Sequence, residues 1–364
     1  MPDPNQSALD VIPGCATPLP PALTAQAARR RKTPSRAQLA DGILAGDRSM
    51  LAQAITLIES SRLADREAAD EVIEACLRAG SDSLRVGITG VPGAGKSTLI
   101  EALGNFLIGE HGQKVAVLAI DPSSERTGGS ILGDKTRMAT LASSEMAFIR
   151  PSPSRGSFGG VAQRTREAML LCEAAGYRNI IVETVGVGQS ETAVHNMVDF
   201  FLLVTLAGAG DELQGIKRGV MELADLVAIN KADGDNVDSA KRAVAEANNA
   251  LHFLSPAASG WTPRAMSCSA LSGHGIAELW NSVLEYAAAT RANRWLEENR
   301  REQRRRWMHE SLESGLRQFF TVHPLIRTRM ESFEREVLDG QTTPFRAARM
   351  LLEMYSNLDR GPQS

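Results

Sequence analysis

Nowhere in these 364 residues does an apolar run reach the roughly 18 residues that a membrane-spanning helix needs, so no membrane partner is expected. Cysteine is scarce. Cys15, Cys76, Cys172 and Cys268 lie far apart with no C-x-x-C pair, which offers no metal-ligand spacing and suits a reducing compartment. An excess of one charge is lacking too. Forty Lys and Arg face 43 Asp and Glu, a formal net charge of −3, which gives no bulk electrostatic reason for a nucleic-acid partner. Asp3 and Asp10 precede any basic residue and no apolar stretch follows, so no secretory signal is expected and the cytoplasm is the default location.

The remaining composition, 43% hydrophobic and 23% charged, is that of a globular chain long enough for two or three cores. Residues 1–35 hold Pro18-Leu19-Pro20-Pro21 and the cluster Arg29-Arg30-Arg31-Lys32, and read as a solvated leader. Residues 36–82 read as helices. Leu51, Ile55 and Ile58 share one face behind Asp47 as N-cap, and Ala69, Val72, Ile73 and Cys76 form a second stripe that stops at Gly80.

From 83 to 273 the pattern alternates strand and helix, with candidate strands at 84–89, 114–120, 180–185, 200–206, 226–230 and 265–270. Most are unbroken apolar runs such as Ile180-Ile181-Val182, which marks strands covered on both faces of a parallel sheet. The expected class is α/β, a mostly parallel central sheet flanked by helices. Residues 274–364 read as helices again. One stripe runs through Ile276, Leu279, Trp280, Val283 and Leu284, and helical spacing continues through Trp295, Trp307, Leu312, Leu316 and Phe319 to a break at His323-Pro324. Amphipathic stretches follow near 325–338 and 344–355. Glu297, Glu298, Glu302 and Glu310 sit among the arginines of 300–306, so this run reads as an exposed salt-bridged helix and not as an RNA surface. Such appended helices suit a dimer or partner surface, or an intramolecular cap.

Open parallel sheets bind ligands at the carboxyl ends of their strands. Gly90-Val91-Pro92-Gly93-Ala94-Gly95-Lys96-Ser97-Thr98 fits the G-x-x-x-x-G-K-[ST] phosphate loop, between a strand pattern and a helix pattern. Its glycines let successive N–H groups curl inward around phosphate oxygens, and the helix N-terminus adds partial positive charge. Lys96 is expected to reach the β- and γ-phosphates, and the Ser97 hydroxyl to ligate Mg²⁺. Asn230-Lys231-Ala232-Asp233 follows the strand 226–230 and fits N-K-x-D. Guanine offers N1–H and N2–H₂ as adjacent donors that the Asp233 carboxylate accepts together, whereas adenine would leave that carboxylate unpaired. GTP is therefore expected over ATP. Lys231 would lie along the base plane, and Ser269-Ala270-Leu271 resembles the S-A-[KL] element whose backbone N–H meets guanine O6.

Glu183-Thr184-Val185-Gly186 ends another strand, where GTPases place D-x-x-G. Glu183 is a candidate Mg²⁺ ligand through water, and the Gly186 N–H a γ-phosphate sensor. Glutamate for aspartate departs from the commonest pattern, and Gln189 lies too far on to be assigned the attacking water. Asp121 closes the strand 114–120 and Asp134 follows in a polar loop. Both are candidate Mg²⁺-site carboxylates, Asp121 the stronger and also a candidate to position the water; either also suits a turn or helix cap.

The phosphate loop with stretches 121–138, 183–191 and 230–233 resembles the MeaB/ArgK family, the GTPases associated with methylmalonyl-CoA mutase within the SIMIBI class of P-loop proteins. The likeness runs from about residue 37 to 356. It implies a P-loop NTPase fold, GTP or GDP as ligand, Mg²⁺ as cofactor, and a homodimer made through the C-terminal helical arm. It implies further a chaperone of an adenosylcobalamin-dependent acyl-CoA mutase, gating cofactor loading by an adenosyltransferase and removal of damaged cofactor. By the same resemblance, 121–138 corresponds to switch I, 183–195 to switch II and 206–217 to a switch III that meets the mutase. Asp211 and Lys217 match the charged positions of that third switch, and Lys217 either supplies the charge of an arginine finger or is an ordinary surface lysine. Two rival readings stand beside it. One is a kinase of a periplasmic amino-acid-binding protein, disfavoured by Asn230 and Asp233. The other is a metallochaperone GTPase, disfavoured by six scattered histidines.

Overall fold

Unbroken apolar runs become strands here because both faces of the sheet are covered. The computed structural model describes residues 34–60, 62–77, 82–120, 138–151, 158–184, 190–208, 218–254 and 257–358. Its strands are β1 (Leu84–Gly90), β2 (Val115–Ile120), β3 (Ala147–Arg150), β4 (Asn179–Thr184), β5 (Phe200–Leu206), β6 (Leu226–Asn230) and β7 (Arg264–Ser267). They form one sheet in the order β3-β2-β4-β1-β5-β6-β7, with every neighbouring pair parallel. The α/β class with a parallel sheet is the one expected. β3 was not expected: four residues at the sheet edge, ending in a half-exposed arginine, are too short a signal to separate from a loop. β7 is shorter than expected. It ends at Ser267, and its outer edge is met by the Asn248 amide, which donates to Ala265 O at 3.3 Å and accepts from Ala265 N at 2.7 Å. A side chain thus stands where another strand would pair.

On one face of the sheet, α1 (Arg36–Leu44), α2 (Arg48–Ile58) and α3 (Leu63–Leu77) pack with α6 (Phe158–Ala174) over β2 and β4. Asp47 caps α2, its Oδ1 accepting from Ser49 N at 2.7 Å and Met50 N at 3.1 Å. The stripes Leu51, Ile55, Ile58 and Ala69, Val72, Ile73, Cys76 are all buried. The other face carries α4 (Lys96–His111), α9 (Val237–His252) and α10 (Ile276–Ala292), whose Leu99, Leu103, Leu279 and Trp280 fill a second core. Short helices α5 (Ala139–Ser143), α7 (Ser190–His195) and α8 (Arg218–Leu223) complete the strand connections that are described.

Leu284 does not join its expected stripe. It is 43% exposed, while Val283 is fully buried. Beyond α10 run α11 (Trp295–Val322), α12 (Pro324–Leu338) and α13 (Pro344–Leu358), with Pro324 opening α12 at the expected break. Ile326, Phe333, Ala347 and Leu351 make a small core between the last two helices. Outside it Leu312, Leu316, Phe319, Val322 and Phe345 are exposed.

The arginine-rich part of α11 is not uniformly solvated. Arg305 pairs with Glu302 on the surface as expected, but Arg300 turns inward and grips Asp199, its Nε at 2.8 Å from Oδ1, with a further bond to the Ser83 carbonyl. Trp307 lies between the Arg85 and Arg166 guanidinium groups, 5.7 and 5.5 Å from its ring centroid. The start of α11 is thereby fastened to the amino-terminal ends of β1 and β5. No described helix is long and apolar enough to cross a membrane.

Candidate functional site

The turn from β1 into α4 depends on backbone angles that a side chain would forbid. Gly90 has φ of +153°, and a Cβ there would lie 2.0 Å from the Val204 carbonyl oxygen on β5. Gly95 has φ of +84° at the N-cap of α4, where a Cβ would lie 2.8 Å from Asn230 Nδ2. Between them Val91 and Ala94 are buried, while Pro92 and Gly93 form an exposed tip. Lys96, Ser97 and Thr98 make the first turn of the helix. The Lys96 ammonium folds across its own loop, donating to Gly90 O at 2.8 Å and to Val91 O at 3.3 Å. Loop amides, a helix N-terminus and a lysine thus converge on one spot, an arrangement suited to a polyanion.

Beside it, Ser97 Oγ donates to Glu183 Oε1 at 3.0 Å. Glu183 is buried near the carboxyl end of β4, where it pairs in register with Ile88 of β1. On the opposite pleat Thr184 Oγ1 lies 2.8 Å from Thr89 Oγ1 and ties the same two strand ends together. A hydroxyl and a carboxylate held in contact are the hard oxygen donors that a small divalent cation prefers.

Asn230 ends β6 and is 2% exposed. Its Nδ2 donates to the Ala94 carbonyl at 2.7 Å, and its Oδ1 accepts the Ala270 N–H at 3.1 Å. Both polar ends therefore work inside the protein, joining the 90–98 loop to residues 269–271. Cys268 packs behind it, its thiol pushed up to about 12 by burial and so neutral. Lys231 follows with φ of +59°, uncommon for a side-chain-bearing residue, and Ala232 N–H anchors the turn on Cys268 O at 3.0 Å. Asp233 accepts a hydrogen bond from the fully buried Ser269 hydroxyl, which itself accepts the Ser272 N–H at 3.1 Å. The S-A-[KL] resemblance assigns Ser269 only a place in a backbone element. Its role as the orienting partner of Asp233 depends on a contact between two loops, which no local spacing reveals. Leu271 is 86% exposed beside this turn.

The structure therefore brings the 90–98 loop, Glu183, the 230–233 turn and residues 269–271 to the carboxyl-terminal end of the sheet. Asp121, Asp134, Gly186, Asp211 and Lys217 lie outside the described residues, although β2 ends at Ile120 directly beside Thr184.

Comparison with known proteins adds a lineage to this geometry. A family model described as methylmalonyl Co-A mutase-associated GTPase MeaB matches residues 51–324. GTPase ArgK of Escherichia coli is 52% identical over 268 residues, covering 74% of this chain and 81% of that protein. A probable GTPase of Mycobacterium tuberculosis is 48% identical over 322 residues, 88% of this chain and 96% of its own. The mitochondrial methylmalonic aciduria type A homolog of Mus musculus is 44% identical over 330 residues, 88% of this chain and 79% of its own. Among solved structures, that of a LAO/AO transport system kinase superposes with a TM-score of 0.68 at 39% identity, covering 88% of this chain and 97% of the other.

Proposed function

The chain belongs to the MeaB family of methylmalonyl-CoA mutase-associated GTPases and is a GTP-hydrolysing enzyme, and from that premise we propose that it is a Mg²⁺-dependent switch serving as chaperone to an adenosylcobalamin-dependent acyl-CoA mutase. The observation that carries the reading is the contact of Ser97 with Glu183 beside the 90–98 loop, which Asn230 links to the turn of Asp233. In this reading, amides of residues 90–95 hold the phosphates, and Lys96 exchanges its two loop carbonyls for β- and γ-phosphate oxygens. Ser97 and Glu183 fit a Mg²⁺ site, with Asp121 and Asp134 as further candidate carboxylates. The ion supplies neutralisation of charge on the phosphate oxygens. Asp233, oriented by Ser269, accepts the two guanine donors, while the Lys231 stem lies along the base. Gly186 senses the γ-phosphate, and Asp121 positions the attacking water.

Hydrolysis then releases the segments after β2 and β4, and the mutase responds to that change. Segment 206–217, with Asp211 and Lys217, is the surface offered to the mutase, and an adenosyltransferase is a second partner. Leu312, Leu316, Phe319 and Val322, exposed along the far half of α11, support a homodimer joined through residues 274–364. The test is GTP turnover by the full chain with and without a cobalamin-dependent mutase, and with Mg²⁺ removed by chelation. Turnover should need Mg²⁺ and rise when the mutase is added. Absence of both a complex and a stimulation sinks the chaperone role and leaves the GTPase standing.

A further inference from the structure

At the end of the sheet away from the phosphate loop, a cleft of about 530 Å³ opens between α11 and the amino-terminal ends of β5 and β6. Two groups in its lining are acceptors that the protein leaves incompletely used. Asp225, immediately before β6, accepts the Phe201 N–H on one oxygen at 2.8 Å, and no described cation pairs with it. Gln303 of α11 is 3% exposed. Its Nε2 donates to Val198 O at 2.7 Å, and its Oε1 is buried with no hydrogen-bond partner. A buried acceptor in the state of Gln303 Oε1 is normally satisfied by something.

The rest of the lining narrows what that something is. Tyr286 and Trp295 contribute aromatic rings and Glu298 a carboxylate, while the Glu302 carboxylate is already paired with Arg305. Asp199 is already neutralised by Arg300. The remaining positive charge is Arg306, bonded to the Asn196 side chain, while burial holds the His195 imidazole below its usual pKa and so neutral. An anion would meet the Asp225 and Glu298 carboxylates with Arg306, already bonded to Asn196, to offset them, and a neutral acceptor would leave Gln303 Oε1 unsatisfied. We propose that this cleft binds a small organic cation carrying several N–H donors, an alkylguanidinium or alkylamine, whose head reaches Asp225 and Gln303. A carboxylate that no described cation pairs with, aromatic rings and the buried Gln303 oxygen all favour that chemistry. The inference stands apart from the guanine site, which lies at the opposite ends of the strands.

The test is calorimetric titration of the GDP-loaded full chain with agmatine and putrescine, with butylurea as an uncharged control. Both cations should bind saturably and butylurea should not. Asp225→Asn should weaken binding about tenfold or more, the worth of one charge-assisted hydrogen bond. The cation should also favour the ionised form of Asp225, which burial pushes up to about 7, so binding at pH 7 should release protons and its heat should vary with the buffer. That variation should vanish in Asp225→Asn, and GTP turnover of the variant should match the parent. Should Asp225→Asn fail to fold, Glu298→Gln takes its place and should weaken binding as well. Absence of saturation at millimolar agmatine, equal affinity for butylurea, or unchanged affinity in the variants would overturn the proposal.

Discussion

Asn230 Nδ2 donates to the Ala94 carbonyl at 2.7 Å, a bond between residues 136 positions apart that joins the phosphate loop to the guanine-reading turn. The bond is buried, and its loss leaves the Ala94 oxygen and the Ala270 N–H without partners. Asn230→Ala should therefore lower affinity for GTP and GDP alike, by roughly tenfold to a hundredfold, the range that about 1–3 kcal/mol of unsatisfied hydrogen bonding implies. Preference for guanine over adenine should change little, because Asp233 and Ser269 keep their contact. Calorimetry with both nucleotides checks this; a selective loss of one of them would refute the latch.

Base choice should reside in Asp233. Asp233→Asn puts an amide N–H₂ against the guanine donors, and the preference for GTP over ATP should fall by about a hundredfold or more. Ser269→Ala should produce a milder version, about tenfold, because the carboxylate loses its orienting hydroxyl and keeps its charge. Competition between the two nucleotides for a fluorescent analogue reads both effects.

Phosphate chemistry should separate Lys96 from Ser97. Lys96→Ala should cut turnover by roughly 10²–10³-fold, as expected when a cation aimed at developing phosphate charge is removed. Ser97→Ala should instead raise the Mg²⁺ concentration needed for half-maximal turnover, since Glu183 is left to hold the ion without its neighbour. Phosphate release measured across a Mg²⁺ titration distinguishes the two.

Features carried by neighbouring letters were legible in the sequence. Ile180-Ile181-Val182 could only be a covered strand, Asp47 caps the helix it precedes, and the Gly90–Thr98 turn stands where its strand and helix patterns meet. Features carried by distant partners were not. β3 is a strand because β2 accepts it, Ser269 matters because Asp233 comes to it, and Arg300 turns inward because Asp199 waits at the foot of β5. The same local spacing that pairs Arg305 with Glu302 suggested solvent for Arg300 as well. Tertiary context separated them.

That buried pair yields a stability prediction. The Asp199 side chain is fully buried and that of Arg300 is 16% exposed, and the carboxylate also accepts the Arg85 N–H at 2.9 Å. Arg300→Ala strands a buried charge and should cost about 3–5 kcal/mol, whereas Arg300→Ala with Asp199→Asn should cost less than the two single losses together. Urea unfolding of the four proteins gives the coupling directly. Additive losses would mean that the pair does not fasten α11 to the sheet.

Asp225 should leave a signature in the pH dependence of stability. Burial pushes its carboxyl up to about 7, from an ordinary value near 3.8, with only the Phe201 N–H favouring the ionised form. A carboxyl that holds its proton more tightly in the folded state makes that state bind more protons between those two values. Its contribution is complete below the unfolded value, is lost as pH rises through the folded one, and stays lost above it. Asp225→Asn keeps the shape and the acceptor for Phe201 but never ionises. The variant should therefore melt above the parent at pH 8, by roughly 1–2 °C for each 1 kcal/mol of penalty relieved. The gap should close as the pH falls toward 4, where the parent carboxyl is neutral as well. Thermal melts of the two proteins at pH 4, 6 and 8 test it, and a difference that ignores pH would show that this carboxylate is solvated and carries no burial penalty.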